Sequence, residues 1–218
     1  MSSESKEPPL TVRRLHSSAE PEFDALLRIY TEAHPASQRK SSAVLRRMIE
    51  SPEYFFLIMT AGASVVAFSI SMCFRNSDAA LLEYVAVAAG NRNRGLGRLL
   101  FRHTAEFDAI TQRYLLIEVD SDNPASSDHE DMLRRKNFYR RLGCRKIEGL
   151  SYIMPSVSSE MPPPMVMFIY SQDLPASVAR SRLRSWLQNC YSQVYQVPAD
   201  DRRIDLMLEH LPHEVRLI

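Results

Sequence analysis

Val85-Ala86-Val87-Ala88-Ala89-Gly90-Asn91-Arg92-Asn93-Arg94-Gly95-Leu96-Gly97-Arg98-Leu99-Leu100 is the stretch whose reading decides the fold. It passes from an apolar run with β-branched residues, through a glycine turn, into residues spaced for a helix. The chain of 218 residues has six glycines, and three of them lie here, against a usual content of about 7%. A glycine turn before a helix offers unpaired amide N–H groups and the positive end of the helix dipole, so the segment suits an anion. Glycine also lets the main chain come close to a phosphate, because no Cβ intervenes. Arg92, Arg94 and Arg98 add cations. A P-loop would need Lys and Ser or Thr where Leu96 and Gly97 stand, and a dinucleotide fingerprint would need a third glycine at Leu100, so both fail.

Working outward, strand and helix patterns alternate. Leu10–Leu15 is strand-like, Phe23, Leu26, Leu27 and Tyr30 share a helical face, and Val44, Leu45, Met48 and Ile49 mark a second helix stopped by Pro52. Residues 54–74 form 21 positions without a charge, long enough to raise the question of a membrane span. Their centre at 60–64 is small and turn-like, and Phe68, Ile70 and Met72 alternate with serines, so a β-hairpin turning near Gly62 is expected. Ala80–Ala88 reads as an apolar strand interrupted by Glu83. Leu96, Leu99, Leu100, His103, Phe107 and Ile110 predict a long helix. Tyr114–Val119 reads as a buried strand. Ser127 and Glu130 form a capping-box pattern for a helix ending near Leu142, before Gly143. Strand-like runs at 144–154 and 164–171 flank a Ser/Pro-rich loop.

These elements predict an α/β (α+β) domain over 10–171, a mixed sheet with helices on both faces. A disordered segment 1–9 precedes it and a helical extension 172–218 follows. In the extension Leu183, Trp186, Leu187, Cys190, Tyr191 and Val194 form one apolar stripe, and Ile204, Met207, Leu208 and Leu211 another. Both need cover, on the core or in a homodimer.

Charge narrows the function classes. With 27 Lys+Arg against 26 Asp+Glu, the chain is neither a globally basic nucleic-acid binder nor an acidic solvating one. The basic run at 132–147 reads as a solvated helix face that could meet a phosphate, with RNA contact as the less favoured alternative. Cys73, Cys144 and Cys190 have no paired spacing, so a reducing cytoplasm is expected. The first residues, MSSESKEPP, lack the apolar core of a secretory signal. Neither a metal set among the six histidines nor a nucleophile elbow is legible.

Arg92-x-x-Gly95-x-Gly97 after a Val-rich strand, with Val87 five residues ahead of Arg92, resembles the pyrophosphate-binding signature of the GCN5-related N-acetyltransferase (GNAT) superfamily. Phe138-Tyr139-Arg140-Arg141-Leu142-Gly143-Cys144 resembles that superfamily's helix-to-strand segment, where a tyrosine lies four residues before a glycine. The element order matches over roughly 10–170. The resemblance implies a GNAT-like, mostly antiparallel twisted sheet, acetyl-CoA as donor and no metal. It implies that Val85, Ala86 and Val87, with Ile117–Val119, hold the pantetheine arm. It implies that Arg92, Asn93, Arg94, Gly95, Leu96, Gly97 and Arg98 wrap the pyrophosphate, and that Tyr139 is the acid. The family's usual asparagine lies about seven residues before the tyrosine, whereas Asn123 precedes Tyr139 by 16, so its role does not carry over.

Acyl transfer to an amine poses two proton problems. An alkylammonium of pKa about 10.4 must lose a proton before attack, and departing CoA, like a thiol of pKa about 8.5, leaves more easily beside a weak acid. Tyr139 can donate as a neutral phenol. Glu83 is the leading base, placed by period two on the face of Val85 and Val87. Glu118 and Asp120 share a face and either complete an acidic pocket for a cationic acceptor or pair with neighbouring Arg and Lys. The expected activity is N-acetyl transfer from acetyl-CoA to a primary amine of a small molecule or protein, by direct attack. The alternatives are a non-catalytic CoA-binding interaction or regulatory protein, and an RNA-directed acetyltransferase.

Overall fold

The computed structural model describes residues 8–121, 129–157, 162 and 164–218. The expected disorder at residues 1–7, Asn123 and the Ser127 half of the capping box lie outside the described residues; Pro8 and Pro9 are placed, and Pro9 accepts a main-chain bond from Gly62. Strand β1 (Leu10–Leu15) is followed by helices α1 (Glu22–Ala33) and α2 (Ser42–Ile49), joined through a short turn at Ala36–Gln38. Pro35 before that turn, and Ser41 capping Val44 N at 3.3 Å, explain the break between the two helices. Strands β2 (Tyr54–Ala61) and β3 (Ser64–Cys73) form the expected hairpin, with Gly62 at φ 59° in its turn.

Then come β4 (Ala79–Val87), α3 (Leu96–Ala105), β5 (Tyr114–Asp120), α4 (His129–Arg141), β6 (Arg145–Lys146) and β7 (Met165–Tyr170). The tail holds β8 (Ser177–Ala179), α5 (Arg180–Asn189), α6 (Arg202–Leu208) and β9 (Glu214–Arg216), with a π-helical turn over Cys190–Val194. The seven strands β1 to β7 form one sheet in the order β1-β2-β3-β4-β5-β7-β6, parallel only between β4 and β5. Helices cover both faces: α1, α2 and the tail share one apolar cluster with the sheet, and α3 and α4 pack on the other side. Among the described residues no helix is long and apolar enough to cross a membrane.

Three expectations about elements are corrected. The helix expected through Ile110 ends at Ala105, and Ile110 instead packs into the core from a turn. The run 144–154 is a strand for two residues only, continued by single bridges at Ile147 and Tyr152. The tail is not wholly helical: β9 pairs with β8, Ile218 exchanges main-chain bonds with Lys146, and Arg216 O accepts one from Glu148 N. Its apolar stripes are covered within the chain itself, Leu183, Trp186, Leu187, Cys190 and Tyr191 being wholly buried.

One irregularity positions the site. Against β3, Ile70 pairs with Tyr84 but Ser71 pairs with Leu82, so Glu83 is the extra residue of a β-bulge. A bulge bends its strand and re-aims a side chain. Pairing of β4 with β5 stops at Leu82 and Ile117, while β4 follows β3 on to Val87 and β5 follows β7 on to Asp120. The two parallel strands therefore splay, and a cleft opens between them.

Candidate active site

The cleft has a volume of about 740 Å³ and runs from the start of α3, along Val85–Val87, to Glu83 and Glu118. At the first end the chain turns through Asn93 at φ 63° and Gly95 at φ 78°. Alternation with left-handed residues aims successive amides the same way, making an anion-binding concavity at a helix N-terminus. Gly97 has ordinary helical backbone, and a Cβ there would sit 3.5 Å from Phe138 and 3.7 Å from Val87, in normal contact. The fold itself does not demand glycine at 97; the missing side chain leaves its amide open to the cleft.

Arg92, Asn93, Gly95, Leu96, Gly97 and Arg98 all line the cleft, and Arg134, Arg135 and Arg141 of α4 face them. Arg92 is held by a bond from Nε to Val87 O at 3.2 Å. Leu96 points its side chain into the sheet among Met59, Ala67 and Leu100, so only its backbone can serve a ligand. Arg94 is exposed on the loop and does not line the cleft.

At the other end the acids have distinct surroundings. Glu83 does not share the face of Val85 and Val87 as period two predicts; the bulge turns it to the α1 side, where Lys40 Nζ lies 2.6 Å from Oε1 and Tyr54 Oη donates to Oε2 at 3.2 Å. Both charged side chains are nearly sealed from solvent, at 3% and 9% exposure. Asp120 is a clasp rather than an open acceptor site. It accepts from Gln38 Nε2 at 2.8 Å and pairs with Arg135 at 2.6 Å, tying the α1–α2 connection and α4 to the end of β5.

Among the described residues Glu118 has no ion-pair partner. It accepts from Tyr152 Oη at 2.5 Å and from Tyr195 Oη. Burial pushes its carboxyl up to about 7, the two phenols pull it down, nearby Glu83 pushes it up further and Lys40 opposes that. A carboxylate at about 7 is poised to exchange a proton near neutral pH.

Tyr139 lines the cleft from α4, and burial raises its phenol well above the ordinary value, which keeps it protonated. Phe101, Phe138 and Phe168 surround its ring, and among the described residues its hydroxyl has no hydrogen-bond partner. His34 also lines the cleft and was not singled out by the sequence. Burial lowers its imidazole to about 4, so the ring is neutral at pH 7, with Nδ1 3.2 Å from Tyr30 O and the ring edge-on to Tyr84.

No protein-family model and no curated protein sequence matches the chain. Solved structures do. A protein from Bacteroides thetaiotaomicron assigned to the GNAT acetyltransferases superposes with a TM-score of 0.70 at 20% identity, over 86% of this chain and 99% of the other. The ribosomal-protein-S18-alanine N-acetyltransferase of Escherichia coli superposes at 0.54 with 19% identity, over 77% and 99%. NAA60 of Arabidopsis thaliana, solved with acetyl-CoA, superposes at 0.58 with 11% identity, over 76% and 100%. The chain has the fold of the GNAT acetyltransferases.

Proposed function

We propose that the chain belongs to the GNAT superfamily and transfers an acetyl group from acetyl-CoA to a primary amine. The observation that carries this reading is the splay of β4 from β5, which joins an arginine-lined helix N-terminus to a pocket holding a carboxylate of pKa about 7. The likeness to solved acetyltransferases supports it, as does the agreement of two short motifs with their expected places on β4–α3 and α4.

Unpaired main-chain groups of β4 beyond Leu82 hold the pantetheine arm, and the turn at 92–98 takes the pyrophosphate. A β4 amide faces the thioester oxygen, where negative charge develops in the tetrahedral intermediate. Glu118, rather than the ion-paired Glu83, accepts the proton of the acceptor ammonium. The freed amine attacks the carbonyl carbon, a C–N bond forms and the C–S bond breaks. Tyr139 gives its phenolic proton to the departing thiolate and regains one from the amide nitrogen or solvent. The products are the acetamide and CoA thiol, with no covalent enzyme intermediate. Three cysteines without a disulfide suit the reducing cytoplasm this reading assumes.

Release of CoA thiol from acetyl-CoA, screened over amine classes, tests the activity. The donor site is tested by Gly97→Glu, which places bulk and negative charge against the pyrophosphate. CoA affinity is expected to drop at least tenfold with little change in melting temperature. Unchanged affinity would overturn the donor assignment. CoA binding without thiol release for any amine would favour the non-catalytic alternative.

A further inference from the structure

Resting on the acetyl-transfer reading, in which Glu118 is the base, we infer that Lys40 is a positioning residue: its ammonium holds the tail where Tyr195 bonds the Glu118 carboxylate. The main chain around Lys40 is fixed from two sides, by Tyr30 Oη donating to Lys40 O at 3.1 Å and Tyr84 Oη donating to Gln38 O at 3.0 Å. Its side chain then reaches the tail. Nζ lies 2.6 Å from Glu83 Oε1, donates to Val194 O at 3.0 Å and stands 5.6 Å from the centre of the Tyr195 ring. Glu83 and Tyr195 line the cleft, and Lys40 sits behind both. The hydroxyl of Tyr195 in turn donates to Glu118 Oε2.

An ion pair with Glu83 would not by itself require the bond to the tail. An ammonium has three donors, and burying it is tolerable only where those protons find acceptors. Val194 O is such an acceptor because it closes the π-helical turn at Cys190–Val194, at the end where carbonyls lack partners within the helix and a cation is favoured. Tyr195 N bonds Cys190 O at 3.2 Å, Val197 N bonds Tyr191 O at 2.9 Å, and Gln196 takes φ 57° as the chain turns away. The carbonyl of Val194 and the Cα of Tyr195 belong to one peptide plane, so fixing the first fixes the second. The face of the Tyr195 ring also lies within cation–π range of Nζ.

Position and charge can be told apart because they act on Glu118 in opposite directions. The groups that face its carboxyl are Tyr152 after β6, Tyr195 on the tail, Glu83 on β4 and Lys40 on the α1–α2 connection, with Cys190 and Tyr191 of the tail also within its field. Glu83 opposes ionisation more strongly than Lys40 assists it. Removing both charges together therefore makes the carboxyl easier to ionise, or leaves it as it was. Losing the Tyr195 bond makes it harder to ionise, because a phenol donating to a carboxylate favours the charged form.

A carbon-13 NMR titration of the full chain, labelled at the glutamate carboxyls, tests this without any acceptor. The Glu118 signal is identified by its loss in Glu118→Gln. Glu83→Gln alone keeps the grip of Lys40 on the tail, and the Glu118 midpoint should move to lower pH. In Lys40→Met/Glu83→Gln the midpoint should instead rise by about one pH unit above the unsubstituted chain, the size expected for one lost hydrogen bond to a charged group. Tyr195→Phe should give the same rise, and adding it to the double variant should give no more, since both changes remove one bond. A double variant titrating at or below the unsubstituted chain would overturn the inference, as would a full further rise on adding Tyr195→Phe. Lys40→Met/Glu83→Leu repeats the measurement if the first pair does not fold. Failure of both to fold would also overturn it, Lys40 being then a structural residue. Should the titrations behave as expected while no amine releases CoA thiol, the acetyl-transfer reading falls and the placement of Tyr195 by Lys40 stands.

Discussion

The two acids of the cleft floor differ because one faces an ammonium and the other two phenols. Removing one partner of a buried pair leaves an uncompensated charge and costs about 3–5 kcal/mol, so Lys40→Met should lower the melting temperature sharply, and adding Glu83→Gln should restore much of it. Glu118 behaves differently. As its carboxyl titrates near 7, kcat/KM should fall as pH drops below that value, since the protonated form cannot accept the ammonium proton. Phenol bonds favour the charged form, so Tyr195→Phe should move the acid limb to higher pH while leaving CoA affinity unchanged; an unmoved limb would remove Glu118 from the base role. The groups that set this limb are Tyr152, Tyr195, Glu83 and Lys40. Glu118 was legible as an acid in an apolar strand, but its partners lie 34 and 77 residues away, and no local pattern announces such distant phenols. Glu83 was legible as an anomaly and misplaced in orientation, because alternation assumes an unbroken ladder.

At the scale of elements, the turn between β4 and α3 separates glycines by what they do. Gly95 sits at φ 78°, and a methyl group added there would meet open space, so Gly95→Ala costs backbone strain alone, about 1–2 kcal/mol. Gly90 has ordinary backbone and open space, and Gly90→Ala should be neutral or stabilising by up to about 1 kcal/mol. Chemical denaturation of the two variants checks the contrast; equal effects would contradict the left-handed assignment. Strand and helix positions from β1 to β5 were readable from spacings near 3.6 in the helices, alternation in β3 and continuous apolar runs in β4 and β5. The bulge, the shortened α3 and the two-residue β6 were not, since each depends on which neighbour happens to pair or pack there. Splay, the feature that makes the cleft, depends on where the pairing of β4 with β5 stops, which no apolar period encodes.

For the molecule as a whole, the tail is part of one core rather than an appendage. Trp186, the sole tryptophan, is wholly buried in α5 and its indole donates to Asp78 at 2.7 Å, just before β4. Tryptophan fluorescence and far-ultraviolet dichroism should consequently report a single coincident unfolding transition. An early fluorescence change at intact dichroism would show that the tail opens on its own. Truncation after residue 171 should strip the tail's part of the cover from the α1–α2 face of the sheet and produce aggregation. Burial of the tail stripes was foreseeable from their spacing, but the surface receiving them was not, because nothing in a helical stripe encodes its distant partner. The same tail governs how the protein comes into being. During synthesis, the sheet emerges from the ribosome before residues 183–217 exist to cover it, so the nascent chain carries an apolar face and an unfinished pocket, a state in which aggregation competes with folding. The cleft residue Tyr195 then arrives late, with the segment that also completes the fold.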